Sequence, residues 1–503
     1  MTVGSINKVI VLGGGSAGFM AAIALKVKLP QLAVRVIRSK DIGIIGVGEG
    51  STIPLTKFLH EYLQVGHKKF LEVAQPTWKL GLRFIWGPPQ RQRFFYTFSA
   101  QQPNFVLPEL SRPIGYYCWD DPDYDVDCVL MGHDKAFERG PGGGPVFPGL
   151  GYAYHFENEK FVQFLEGYAS AQGVEILDDT VSQVKQDDSG VSGLVLASGR
   201  TETADLYVDA SGFISFLLGK ALAEPFESFQ SSLFCDRAVV GGWDRGADEI
   251  IRPYTTCETM QSGWAWQIEH ENRVNRGYVY SSDFISDEVA EREFRQKNPK
   301  VGPTRVVKFV TGCYRRGWVK NVIAIGNASG FVEPLEATAL GVIAMQSRLL
   351  ADTLLDSGRA PTPSHIGEYN EYHRINWSAI RAFIAVHYKF NTRLETDFWR
   401  ACRQNVELTP MAQRVVDYYR QNGPSRMWEP TLLHSLDQFG LGGYFALLLG
   451  QQVPYDPPYQ PSERELKTWN ERKAKMNKSA QTALTVKQAL EAIRSPKWKW
   501  VSG

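Results

Sequence analysis

Residues 7–38 run through an apolar stretch, KVIVLGGG, a stretch with apolar residues at helical spacing, SAGFMAAIALKVKL, and a second apolar stretch, LAVRVIRS. That succession predicts a strand, a glycine turn, a helix and a second strand. Related patterns recur far downstream. ADLYVDASGF reads as a buried strand running to Val208 and turning through Asp209 and Gly212, and NVIAIGNASGFVEPLEATALGVIAMQSRLLADTL as a strand, a loop and a long helix. Strands this widely separated predict a discontinuous α/β domain with other material inserted between its pieces. KLGLRFIW alternates, with Leu80, Leu82, Phe84 and Trp86 on one side and Lys79, Gly81 and Arg83 on the other, as in a strand with one core-facing side. Lys79 then faces solvent or an internal cavity. Residues 101–151, rich in Pro, Gly, Asp and Tyr, read as loops over a site. From Thr362 onward helical spacing dominates, and the Lys-rich tail 462–500 reads as a solvated helical face.

Composition narrows the class. A chain of 503 residues exceeds what one hydrophobic core supports, so two or more substructures are expected, with room to bury a large cofactor. With 43% hydrophobic and 22% charged residues and a net charge of +1, nothing points to disorder or to a nucleic-acid partner. The absence of a signal-peptide pattern, and of an apolar run of about 18 residues, predicts a cytoplasmic protein without a membrane partner. The six cysteines, Cys118, Cys128, Cys235, Cys257, Cys313 and Cys402, form no CxxC pair, so no metal site is expected and buried thiols are.

Gly13, Gly15 and Gly18 spell GxGxxG after the first strand and at the mouth of the first helix, with Ser16 and Ala17 between them. This arrangement lets main chain approach a pyrophosphate whose charge meets a helix amino terminus. The second strand ends in Arg38 where an acidic residue commonly accepts from the adenosine ribose. An Arg there suits a 2′-phosphate, which points towards NADP. The later elements favour FAD. Asp209 in DASG and the GNASG turn beginning at Gly326 resemble the pyrophosphate and ribityl segments of flavoproteins of the glutathione-reductase type. The aromatic hydroxylases of that class carry an Asp in the second turn where this chain has Asn327, which argues against hydroxylation.

GWAWQI at 263–268 matches the WxWxI part of the motif that marks flavin-dependent halogenases, with Glu269 where a Pro often follows. Taken alone, two tryptophans at i and i+2 read as core packing. Further matches extend over most of the chain: GVGEGSTIP from Gly46, TWKLGLRF from Thr77, YAYHFENEKF from Tyr152, GYVYSS from Gly277 and EPLEAT from Glu333. Together they resemble the tryptophan-halogenase family. The resemblance implies an α/β, glutathione-reductase-type FAD-binding fold with an inserted mixed-sheet substrate region and a helical carboxy-terminal subdomain. The expected division is 1–100, 150–220 and 305–360 for FAD binding, 101–149 and 221–304 for the insert, and 361–503 for the helical part. It adds Gly48, Glu49 and Phe331 to the cofactor-binding residues.

The same resemblance implies the chemistry. Reduced FAD, dioxygen and chloride or bromide yield hypohalous acid, which travels through the protein to Lys79 and there meets an electron-rich, indole-like ring. Trp264 and Trp266 keep that substrate from the flavin. Lys79 acts as a hydrogen-bond donor or as a transient haloamine. The haloamine needs a neutral amine, and lowering a pKa of about 10.4 to about 7 costs roughly 4 to 5 kcal/mol, which favours the donor role. Glu336 orients the halogen species and accepts the ring proton. The N–H groups of Thr338 and Ala339, at a helix amino terminus, offer a halide site. A separate NADH-dependent flavin reductase is the expected partner. The alternatives are an FAD-dependent aromatic hydroxylase and a non-catalytic flavin-binding protein. In tryptophan-specific members a carboxy-terminal region grips the amino acid with tyrosines and a Glu. Here 427–449 offers Tyr444 and Phe445 but no tyrosine pair followed by an acid, so free tryptophan is not expected to be the best substrate.

Overall fold

The structure, a computed structural model, describes residues 5–40, 43, 48–98, 124–149, 151–456 and 458–499. Gly46, Cys118, Trp500 and much of the 101–151 stretch lie outside the described residues. The chain divides into two compact units, one of residues 1–75, 156–229 and 309–377, the other of 76–155, 230–308 and 378–503.

The first unit is built on a six-stranded sheet in the order Trp318–Val319, Val322–Ala324, Leu206–Asp209, Lys8–Leu12, Ala33–Arg38, Glu175–Asp178. All neighbours run parallel except the outermost pair. Lys8–Leu12 sits in the middle with both faces covered, which is why its sequence is apolar without alternation. On one face the helices Ser16–Lys28 and Ala339–Asp356 pack against each other. On the other, Ile10, Tyr207, Val322 and Ala324 meet Val191, Leu194 and Leu196 of a three-stranded antiparallel sheet. Each large aliphatic side chain buried this way contributes about 1.5–3 kcal/mol.

The second unit is built on a seven-stranded sheet in the order Arg305–Lys308, Arg237–Asp244, Arg273–Tyr280, Gly263–Glu269, Tyr254–Met260, Gly81–Ile85, Phe94–Thr97. It is mixed: Tyr254–Met260 and Gly81–Ile85 run parallel, and the other pairs antiparallel. That pairing goes with residues 76–97 belonging to the second unit, where the expected division had them within 1–100. Local periodicity identifies a strand but not its distant partner. The helix Asp287–Lys297 covers one end of a face through Ala290 and Phe294, against Ala265, Tyr278 and Met260.

Beyond residue 362 the expected helices form, among them Pro363–Phe390, Gly440–Gly450, Glu463–Thr482 and Val486–Arg494. Ser462 and Thr485 each open a capping box, which ties up amide groups that a helix start would otherwise leave unpaired. The tail is solvated on one side only, since Trp469, Met476 and Ala480 are buried. Cys128, Cys235, Cys257, Cys313 and Cys402 are buried and in no disulfide. Among the described residues no helix is long and apolar enough to cross a membrane, and no group of three or more His, Cys, Asp or Glu could hold a metal ion.

Candidate active site

In the first unit glycines shape the main chain. Gly13 has φ +127°, and a Cβ there would lie 2.2 Å from the Ala210 carbonyl oxygen, so the first turn can cross the DASG turn only as glycine. A Cβ on Gly18 would lie 1.9 Å from the Gly13 carbonyl oxygen, which makes Gly18 the point where helix and strand close on each other. Gly15 differs. It is the amino-terminal cap of the helix Ser16–Lys28, and the space where its Cβ would stand is open to 4 Å. With no acidic residue in the first turn, an uncrowded helix amino terminus remains, flanked by Ser16 and Ala17, and it suits a pyrophosphate. These residues therefore fit the dinucleotide part of FAD.

The Asp209 carboxylate is fully buried and accepts from the N–H and Oγ of Ser211 and the N–H groups of Leu217 and Leu218. Burial raises its pKa, and these hydrogen bonds pull it back down. Its visible work is to hold the DASG turn beside the glycines. Gly326, at φ +63°, brings the GNASG turn against Ala17 and Ile343. Gln346, which no sequence pattern singled out, accepts from the Gly326 N–H and donates to Ser329 Oγ, fixing that turn to the long helix. Phe331 lies edge-on to Phe213 and Phe309 at centroid distances of 4.8 and 5.1 Å. Gly48 has φ +70°, and the neighbouring Glu49 accepts from Asn158 Nδ2. Burial pushes the Glu49 carboxyl up to about 7, opposed by that hydrogen bond.

Arg38 is already engaged. It makes a two-pronged contact with Glu166 at 2.7 Å and gives Nε to Asp178 at 2.8 Å, with its stem against Gly14. Two carboxylates thus occupy the guanidinium that would have met a 2′-phosphate, which removes the argument for NADP. Glu166 comes from the helix Asn158–Ala171 and Asp178 from the strand Glu175–Asp178, so the residue alone carries no trace of the partnership.

Pro334–Glu336 forms its own single 3₁₀ turn, and Ala337, at φ +53°, separates it from the helix that starts at Ala339. Glu336 thus precedes the long helix and does not lie in its first turn. The left-handed Ala337 is what breaks the continuity. Glu336 is 2% exposed. Thr338 caps the helix, and its C=O accepts from Val342 N–H.

In the second unit Lys79 is fully buried. The alternating segment does not form one strand: Thr77–Lys79 pairs antiparallel with Ala153–Phe156, with Lys79 opposite Ala153, and a separate strand starts at Gly81. Of the two expected placements for Lys79, the internal one is found. Lys79 Nζ lies 5.7 Å from the Phe98 ring centroid. His155 stands opposite Thr77, two residues from Lys79 on the same face, with Nε2 2.9 Å from Thr255 Oγ1. Burial first, and then the positive charge of Lys79, holds its imidazole well below the ordinary range, so it is neutral.

Trp264 and Trp266 share one face of the large sheet, with ring centroids 6.0 Å apart and planes inclined by 54°. Both rings are buried, and neither indole N–H has a hydrogen-bond partner among the described residues. Gly277 lies directly across from Trp266, and a Cβ there would come within 2.2 Å of its ring, so the glycine of GYVYSS makes room for the indole. Tyr444 and Phe445 are fully buried. Tyr444 packs edge-on to Phe383 at 4.9 Å.

The sequence pattern of the tryptophan halogenase family matches residues 8–463. Tryptophan 7-halogenase RebH from Lentzea aerocolonigenes is 30% identical over 83% of this chain and 82% of its own length. Among solved structures, MibH, a lathipeptide tryptophan 5-halogenase, superposes with a TM-score of 0.88 at 36% identity, covering 97% of this chain and 94% of MibH. BrvH, a flavin-dependent halogenase from Brevundimonas sp. BAL3, gives a TM-score of 0.83 at 25% identity over 97% of this chain and 99% of BrvH. A glycine-built dinucleotide cradle, a buried lysine and a paired-tryptophan strand, in a chain matched along nearly its whole length, lead to one conclusion: the chain belongs to the tryptophan halogenase family and is a flavin-dependent halogenase.

Proposed function

We propose that this halogenase uses reduced FAD, dioxygen and chloride or bromide to halogenate a small, electron-rich, indole-like aromatic, and that free tryptophan is not its best substrate. Lys79 is the observation that carries the reading. A surface lysine lays its stem along the protein and keeps its ammonium in water, but Lys79 has 0% exposure. Fully buried lysines are rare enough to need a reason.

Bound reduced FAD supplies two electrons, with which dioxygen and halide give hypohalous acid and water. Lys79 holds that acid by a hydrogen bond from its ammonium, polarising it towards transfer of the halogen to a ring carbon as its hydroxyl takes a proton from that ammonium and leaves as water, the amine then regaining a proton from solvent. Glu336 takes the proton that the carbon gives up. The Thr338 and Ala339 amides hold the halide, for which the turn at Ala337 and the helix behind it are the support. Trp264 and Trp266, whose indole N–H groups have no partner among the described residues, form a wall that denies the organic substrate access to the flavin. FADH2 arrives by diffusion from a separate NADH-dependent reductase. The enzyme works in the cytoplasm, a placement supported by the five described cysteines, all buried and none in a disulfide.

For the substrate, the support is that Tyr444 and Phe445 are core residues. Of the two carboxylates within the same segment, Asp437 accepts from the N–H groups of Phe439 and Gly440, and Glu429 accepts from Arg426 Nε and the Leu441 N–H. A zwitterion buried without partners costs several kcal/mol, a cost that a neutral indole avoids. The reading is also supported by MibH, whose name describes a lathipeptide tryptophan 5-halogenase. The test compares kcat/KM for indole and free tryptophan under one reductase supply, with products identified by mass in chloride and in bromide. Indole should lead, by a margin equivalent to about 1 to 3 kcal/mol. A clear preference for tryptophan would overturn the substrate reading.

A further inference from the structure

The main chain on both sides of Lys79 is tied to two other segments of the second unit. Two residues before it, Thr77 Oγ1 donates to the Glu269 carbonyl. One residue after it, the Leu80 N–H donates to the Pro253 carbonyl at 2.8 Å. The position of Lys79 therefore depends on how far apart those two carbonyls are held.

The Glu269 side chain sets that distance. Its carboxylate is 1% exposed and pairs with Arg245, itself 4% exposed, and with Arg252 Nη1 at 3.4 Å. Arg252 immediately precedes Pro253, so the second pair links the two anchoring segments directly. Gln267 Nε2 donates to the same carboxylate at 2.7 Å. Arg245 continues the brace by donating to the His270 carbonyl at 3.0 Å and the Ile250 carbonyl at 2.7 Å. Glu269 is also the place where GWAWQIE departs from the family motif, in which a Pro often follows. A proline has neither a carboxylate to bridge the arginines nor a long side chain. A buried ion pair pays a desolvation penalty close to its Coulombic gain, so geometry is a better reason for keeping it than stability.

We propose that Glu269 is a positioning residue for Lys79, holding the Thr77–Lys79 strand at the reach halogen transfer needs. The inference rests on the reading of Lys79 given above. Two variants test it: Glu269→Gln, and the paired replacement Arg245→Met with Glu269→Leu. The pair removes both buried charges together if the single variant yields no soluble protein, and the partly exposed Arg252 keeps Asp134 at 3.9 Å. Three quantities are measured with FADH2 supplied: the rate of flavin reoxidation, halogenated product per FADH2 oxidised, and hypohalous acid trapped in solution.

The expected result is a split. Reoxidation stays within about twofold, substrate KM is unchanged, product per FADH2 falls by on the order of 10- to 100-fold, the scale of an ångström-sized misplacement, and trapped hypohalous acid rises in step. Product per FADH2 at the wild-type level, or reoxidation and halogenation falling by one common factor, would overturn the assignment. Lys79→Ala, assayed alongside, separates the two readings. If it keeps halogenating, the role of Lys79 itself fails. If it is inactive while the Glu269 variants behave as wild type, only the positioning role fails.

Discussion

In the first unit the groups prepared for the cofactor are main-chain N–H groups, uncovered by glycines whose missing Cβ atoms let turns cross at 2.2 and 1.9 Å. In the second unit the groups proposed to receive the hypohalous acid and to screen the substrate are side chains, Lys79 and two indoles, each buried and placed by strands far away in sequence. A main-chain site depends on shape and tolerates little change at a few positions. A side-chain site depends on electrostatics and register and spreads its requirements over many. The two units should therefore fail differently when altered.

The largest expected effect tests the first half of that contrast. Gly18→Ala puts a methyl group into the Gly13 carbonyl, a backbone atom that cannot move aside, and should abolish FAD binding measured by flavin fluorescence. FAD affinity within about threefold of wild type, at unchanged thermal stability, would show that the turn is looser than its geometry. Glu336→Gln comes next: halogenation should fall on the order of 10²-fold with FAD affinity and reoxidation unaffected, as expected for removal of a positioned proton acceptor. A fall in FAD affinity by the same factor would make Glu336 part of the main-chain scaffold.

The smallest effect concerns Glu49, where a side chain enters the glycine-built unit. Its folded pKa, about 7, lies above the ordinary 4.5, so the group favours the fold while protonated. That contribution is complete below about pH 4.5 and is lost as pH rises through about 7. Glu49→Gln should consequently match the wild-type Tm near pH 4.5 and exceed it by pH 8, by a few degrees in the FAD-free protein. A difference in Tm that does not change with pH would show that the carboxyl is no more buried than an ordinary one.

The contrast also explains what could be read from the chain. Gly13, Gly15 and Gly18 lie next to each other in sequence and work next to each other in space, so strand, turn and helix were legible together. The break after Lys79 was not, because Leu80 continues the alternation perfectly well. It is the pairing of Lys79 with Ala153 and of Gly81 with Tyr254 that splits the segment. Arg38 illustrates the same limit, since its meaning depends on Glu166 and Asp178 in another helix and another strand. Nothing in EPLEAT marks the left-handed alanine, which no propensity favours and which sets Glu336 in a turn of its own before the long helix. The family motif located Trp264 and Trp266, while Gly277, the residue that makes room for Trp266, lies on the next strand and was visible only as part of GYVYSS.

The account stands most directly on Lys79, and one measurement tests it: Lys79→Ala, loaded with FAD and given FADH2, oxygen, bromide and indole, with product and free hypobromous acid followed in the same reaction. The account predicts normal FAD binding and flavin reoxidation, hypobromous acid in solution, and no product formed within the protein. Bromoindole of the wild-type regiochemistry, made at close to the wild-type rate with a hypohalite scavenger present, would contradict it.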